Sequence, residues 1–268
     1  MREIFTMWRD TRMIMLVAVV AAVYAAVLLP FKVFTILPGL TSVRPANVFP
    51  VIFGIMFGPA AAWGAAIGNL IGDIFGGTFG PGSLGGFVGN FFFGYVGYKM
   101  WGNLGPLSSG SEPNFRDNAA MQIVEYVIIA IAASAACAAI IAWWADALGL
   151  VPFTVLGPII ITNNSIASVI LGPPLLYLTY PRIKEMGLLY HDVMRDEDLS
   201  AASPSRRQLA AFGMLVIPLV WLGAGVTLGA APGATSIVAV GVVGLVLFLA
   251  CAAVGAERLS TIRNAVTA

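Results

Sequence analysis

Charged side chains are scarce in this 268-residue sequence: Asp, Glu, Lys and Arg together make up 10% of it, where a soluble domain carries about 25%. The 14 basic and 13 acidic residues nearly cancel, to a formal net charge of +1. No basic excess exists to hold nucleic acid, so a DNA or RNA partner is excluded. Cysteine and histidine are scarcer still, with 2 Cys and 1 His. Cys137 and Cys251 both sit in apolar runs, and no CxxC or HExxH spacing occurs, which removes disulfide frameworks, zinc enzymes and redox relays. There is no GxxxxGK followed by Ser or Thr. The chain is therefore expected to be no enzyme, to need no cofactor or metal, and to draw any energy from a partner or an ion gradient.

What is abundant is apolar surface, at 59% of residues. A helix needs about 20 mostly apolar residues to cross the hydrocarbon of a bilayer, and eight uncharged segments stand out. They are Met13 to Leu29, Ala46 to Gly58, Pro59 to Phe75, Ser83 to Trp101, Met121 to Ala145, Phe153 to Tyr180, Leu209 to Gly229 and Ser236 to Gly255. Their apolar residues run all round rather than along one stripe, the pattern of helices enclosed by lipid or by other helices. The expected fold class is an all-α integral membrane protein. The start of the chain resembles a secretory signal, but its 17-residue apolar run is longer than such signals carry, so it reads as a retained helix.

The second and third segments are together too long for one upright span and short for two. Proline at 59 removes a backbone donor and disfavours helix at Gly58, so a tight hairpin is expected there. Eight spans with both termini cytoplasmic put every Lys and Arg inside except Lys32 and Arg44, in keeping with the positive-inside rule. One long span in place of the hairpin would give nearly as good a split with the N-terminus outside. It would also leave Arg2, Arg9 and Arg12 outside, just before the first helix, and the eight-span reading is preferred for that reason. The hydrophilic stretch Pro181 to Arg207 reads as a cytoplasmic linker, with the lone His191 a solvated loop residue. The expected organisation is residues 1–180 as a six-helix membrane domain, 181–207 as linker and 208–268 as a two-helix extension.

Several motifs admit two readings. Gly80, Gly82 and Gly85 spell GxGxxG but lack the strand a dinucleotide site requires, so Gly80-Pro81-Gly82 is a turn. Gly64, Gly68, Gly72 and Gly76 recur every fourth residue, a spacing that lets membrane helices approach closely, and read as internal packing. Ala18, Ala22 and Ala26 share that spacing on the first helix and fit either internal packing or a partner-docking face. Trp143, Trp144 and Tyr24 read as an aromatic belt.

Polar side chains within the hydrocarbon are costly and tend to serve function. The eight-span topology brings Arg44, Asn47, Asn69, Asp73, Asn90, Asn163 and Asn164 to the outer half of the bilayer, while Glu125 stands near the inner end of its helix. Asn69 and Asp73 share a helix face. Each asparagine taken singly reads as a bridge between helices; the cluster reads as a site for a small polar molecule entering from outside.

The run from Arg44 through Gly58-Pro59 into Gly68-Asn69-Leu70-Ile71-Gly72-Asp73 resembles the second and third helices of substrate-binding S components of energy-coupling factor transporters. Ala18, Ala22 and Ala26 are similar to the small-residue motif on the first helix of those proteins. The resemblance covers Met13 to Tyr180. It implies a six-helix subunit in the cytoplasmic membrane of a prokaryote that captures a vitamin-like molecule. Such a subunit docks its alanine face on a membrane coupling subunit driven by two cytoplasmic ATPases. The two further helices depart from that pattern. Two rival readings are a structural or accessory subunit of a larger membrane complex, and an ion-coupled carrier using Asp73 or Glu125.

Overall fold

The computed structural model describes residues 1–32, 34–37, 41–42, 44–199, 202–228 and 235–262. Among these the regular secondary structure is helical, apart from a two-strand antiparallel ribbon of Thr35–Leu37 (β1) and Thr41–Ser42 (β2). Each apolar segment read from the sequence forms a helix. They are α1 (Thr11–Phe31), α2 (Val48–Phe57), α3 (Pro59–Phe75), α4 (Gly82–Met100), α5 (Ala119–Ala147), α6 (Phe153–Glu185), α7 (Pro204–Leu228) and α8 (Thr235–Val254). Gly229, the expected end of the seventh segment, and Arg263, counted among the cytoplasmic charges, lie outside the described residues.

Five helices, α1 and α5 to α8, are long and apolar enough to cross a membrane, rather than the eight expected. The reason is physical. Ten residues in α2 and 17 in α3 rise only about 15 and 25 Å at ~1.5 Å per residue, and glycine dilutes the hydropathy of α4. These three helices form the interior of the bundle, where burial replaces lipid.

Local chemistry sets the breaks. Asp10 caps α1 by accepting from the backbone N–H of Arg12 at 2.7 Å and of Met13 at 3.2 Å, satisfying donors that a helix start leaves open. Gly58 has φ 56° and ψ −126°, a conformation closed to residues with a Cβ, and Pro59 opens α3 with its missing N–H at a position where none is needed. The chain reverses there: Arg44, before α2, donates to Asn69, late in α3, at 3.1 Å. The expected hairpin is thus present as a fold of two short helices.

The glycine stripe packs internally. A Cβ on Gly64, Gly68, Gly72 or Gly76 would strike Val20, Tyr24, Leu28 or Lys32 respectively, at 2.5 to 3.0 Å. Two series of spacing four therefore interlock, one from each helix. Between α2 and α4 the approach is tighter still, since a Cβ on Gly54 would fall 2.1 Å from the carbonyl oxygen of Gly94.

The last two helices pack on α5, with α7 also touching α6 and α4. Trp143 meets Trp221 edge-on at 6.1 Å and Phe92 meets Phe248 at 5.2 Å. Beyond α8 the chain is stitched into the base of the bundle. Lys99 donates to the Gly255 carbonyl at 2.8 Å, Asn103 to that of Ala256 at 2.7 Å, and Arg258 to that of Gly102 at 2.7 Å. The stretch expected as linker is partly structured: α6 runs on to Glu185, a short helix spans Tyr190–Val193, and α7 begins at Pro204. His191 is a further correction, because its imidazole is only 5% exposed and stands edge-on to Tyr190.

Candidate functional site

A cavity of about 400 Å³ opens at the end of the bundle where α1, α3 and α5 finish and α4 and α6 begin. Its wall includes Arg44, Asn47, Asn69, Asp73, Asn90 and Asn164. The helices aim them inward. Asn47 is the last residue before α2, Asn69 and Asp73 come from one face of α3, and Asn90 and Asn164 come from α4 and α6. Asn163 is not part of the wall; adjacent helical residues point about 100° apart at 3.6 residues per turn, so α6 turns only Asn164 into the chamber. Apolar wall is supplied by Ile141, Leu156 and Ile160, and Cys137 adds a thiol. The turn Gly80-Pro81-Gly82 forms part of the rim, so the accidental GxGxxG contributes wall rather than a nucleotide fold.

The amides form a connected network. Asn47 Nδ2 donates to Asn164 Oδ1 at 2.5 Å, and Asn90 Nδ2 donates to the Gly86 carbonyl at 2.8 Å. Tyr24 Oη lies 2.8 Å from Asn47 Oδ1 and 2.9 Å from Asn90 Oδ1, so one phenolic proton serves two amide oxygens. Ser168 Oγ donates to the Asn47 carbonyl at 3.0 Å, tying α6 to the mouth of α2. Tyr24 is fully buried; it is a support of the site, not the belt residue expected.

At the mouth, Lys32 Nζ donates to Asp73 Oδ1 at 2.9 Å and to Thr78 Oγ1 at 2.7 Å. Asp73 Oδ2 accepts from Asn69 Nδ2 at 3.3 Å, and the Arg44 guanidinium holds Asn69 from its other side. Burial, then the charge of Arg44, lowers the pKa of Lys32 against the opposing pull of Asp73. Sequence reasoning missed Tyr24 and Lys32 as parts of this network. The signal lay in spacing: residues 20, 24, 28 and 32 repeat in step with the glycines of α3.

Ala18, Ala22 and Ala26 lie on the opposite side of α1 and are exposed, and α7 and α8 pack on other helices. Glu125 stands far from the chamber. Its carboxylate accepts from Gly102 N–H at 2.7 Å and from Ser109 N–H and Oγ at 2.8 Å, pinning the loop after α4. Among the described residues no group of three His, Cys, Asp or Glu could hold a metal ion.

The opposite end has a second cavity, of about 370 Å³, where Arg2, Arg9 and Arg195 face Asp10, Glu197 and Asp198. Near it, Glu3 accepts from Lys99 at 2.5 Å and from Tyr95 at 2.7 Å. Burial alone would raise the Glu3 pKa; the Lys99 ammonium and the two hydrogen bonds outweigh it and hold the carboxyl at about 2.

Apolar helices surrounding an amide-walled chamber that opens at one end are the architecture of a multi-pass membrane protein. The comparisons with known proteins agree. Residues 14–181 match the QueT transporter family, and the chain belongs to that family. It is a transporter protein and not an enzyme. No curated protein and no solved structure matches it.

Proposed function

We propose that this protein captures a queuosine precursor, the molecule its family takes up, from outside the cell. We read it as the substrate-binding S component of an energy-coupling factor transporter in the cytoplasmic membrane of a prokaryote. The observation that carries the reading is the chamber, whose size suits a flat heterocycle and whose amides offer both donors and acceptors. Asn47, Asn69, Asn90, Asn164, Arg44 and Asp73 bind the molecule. In this reading α1 to α8 make eight crossings with both termini cytoplasmic. Residues 1–180 form the capture domain, 181–207 the linker and 208–268 an extension bound to α5.

Ala18, Ala22 and Ala26 are the docking face for a membrane coupling subunit, with two cytoplasmic ATPases beneath it. Their exposure supports this, since small residues at spacing four admit a second helix backbone. A bulky side chain there separates the two, so Ala22→Leu is expected to lose co-purification with the coupling subunit. Retention at wild-type yield would remove the docking role.

The test of function is uptake of a labelled queuosine precursor by cells that cannot make it, with and without the coupling subunit and ATPases. Accumulation is expected only with the full set. Uptake without ATPases would replace this mechanism with an ion-coupled carrier, and no binding of any queuosine precursor to purified protein would remove the substrate.

A further inference from the structure

We infer that the chamber selects the uncharged form of its ligand, and that Lys32 is the residue that enforces this choice. The inference deepens the assignment of the chamber to a queuosine precursor and rests on it.

Two charged side chains belong to the wall, Arg44 and Asp73. Asp73 would be the natural counter-ion for an ammonium group on a ligand, but its carboxylate is already engaged. Lys32 and Thr78 contact Oδ1 at 2.9 and 3.3 Å, and Asn69 contacts Oδ2 at 3.3 Å. Lys32 is held by packing as well as by charge. Its stem runs over α3 where Gly76 has no side chain, and a Cβ there would lie 2.9 Å from the Lys32 Cδ. The Lys32 side chain is 9% exposed, so water screens the pair little.

With Asp73 neutralised, Arg44 is the charge left to face a ligand. Among the described residues its Nε is buried without a hydrogen-bond partner, and its guanidinium forms part of the chamber wall. A carbonyl or ring nitrogen can accept from the guanidinium where it lines the chamber, whereas an ammonium group would meet a like charge there. To bind, a cation would have to displace Lys32 from both Asp73 and Thr78.

The experiment uses two probes, a queuosine precursor base with an uncharged substituent and the same base with an aminomethyl group. Dissociation constants are measured on the purified full chain. The wild type is expected to favour the uncharged base tenfold or more. Lys32→Met releases Asp73 and is expected to shrink that preference at least fivefold, while Lys32→Arg keeps it. Lys32→Gln, which retains a donor for Asp73 and Thr78 but no charge, is the second variant and should behave as Lys32→Met does. Equal or tighter wild-type binding of the aminomethyl base would overturn the inference and leave the substrate assignment standing, as would a preference unchanged in both neutral variants. Failure of the wild type to bind either probe would overturn the substrate assignment and the inference together.

Discussion

The two ends of the bundle bury polar groups in opposite ways. At the far end, Glu3 and Lys99 are almost completely enclosed and paired by charge: Glu3 Oε1 accepts from Lys99 and Tyr95, Glu3 Oε2 faces the N-terminal ammonium at 3.2 Å, and Lys99 also donates to the Gly255 carbonyl. At the chamber end the polar groups are mostly amides, and their network leaves capacity unused: one Tyr24 proton is divided between two oxygens, and Arg44 Nε has no partner among the described residues. Pairing of opposite charges makes a rigid clamp, because a charge taken out of water is tolerated only beside its counter-ion. Neutral amides around a cavity make a site, because they carry no charge that must be cancelled from within and a ligand can share their donors and acceptors. Buried polar residues here thus divide by whether they cancel a charge or line a cavity.

The largest expected effect breaks the clamp. Lys99→Met would leave Glu3 buried without its main counter-ion and should lower stability by about 3 to 5 kcal/mol. Thermal unfolding in detergent reads the loss, and ligand affinity of the folded fraction should stay within about twofold if the two ends are independent. A parallel loss of affinity would join the ends into one unit.

Next in size are the chamber amides. Asn90→Ala and Asn164→Ala each leave a buried partner unsatisfied, at about 1 to 3 kcal/mol, or roughly fivefold to a hundredfold in affinity for the queuosine precursor. Equilibrium binding checks this. Unfolding temperatures that drop as far as in Lys99→Met would make the amides a second clamp and erase the contrast.

The smallest effect is the pH response of Glu3. Its carboxyl titrates at about 2 in the folded chain against an ordinary 4.5. A depressed pKa contributes stability that is fully present above pH 4.5 and lost as pH falls through 2. Stability should therefore decline across that window in the wild type and decline less in Glu3→Gln. Equal slopes would place the acid response in other carboxyls.

Much of the architecture was legible because it depends on local pattern. Eight apolar segments became eight helices, and Gly58-Pro59 turned the chain where the backbone chemistry required. Which helices are long and apolar enough to cross a membrane was less legible, because α2 and α3 are kept in place by neighbours instead of by lipid. The asparagines could be picked out as amides in apolar runs, but Asn163 and Asn164 could be told apart only once the rotation of α6 was fixed. Glu3 and Lys99 could not be paired from sequence at all. They are separated by nearly a hundred residues, and Lys99 reads as a loop-end cation until the N-terminal segment folds beneath it. Tyr24 and Lys32 were hidden because each has an ordinary explanation at a helix end.

The meshing of α1 with α3 also restricts how the protein can move. Val20, Tyr24, Leu28 and Lys32 sit in successive glycine notches, and four residues along a helix measure about 6 Å. A slide of α1 by less than a notch would drive these side chains against the backbone ridges between the glycines. The first helix can rock in its track or lift out of it, but it cannot creep. The seats of Tyr24 and Lys32, which hold the chamber amides and Asp73 respectively, are therefore discrete positions rather than points along a slide.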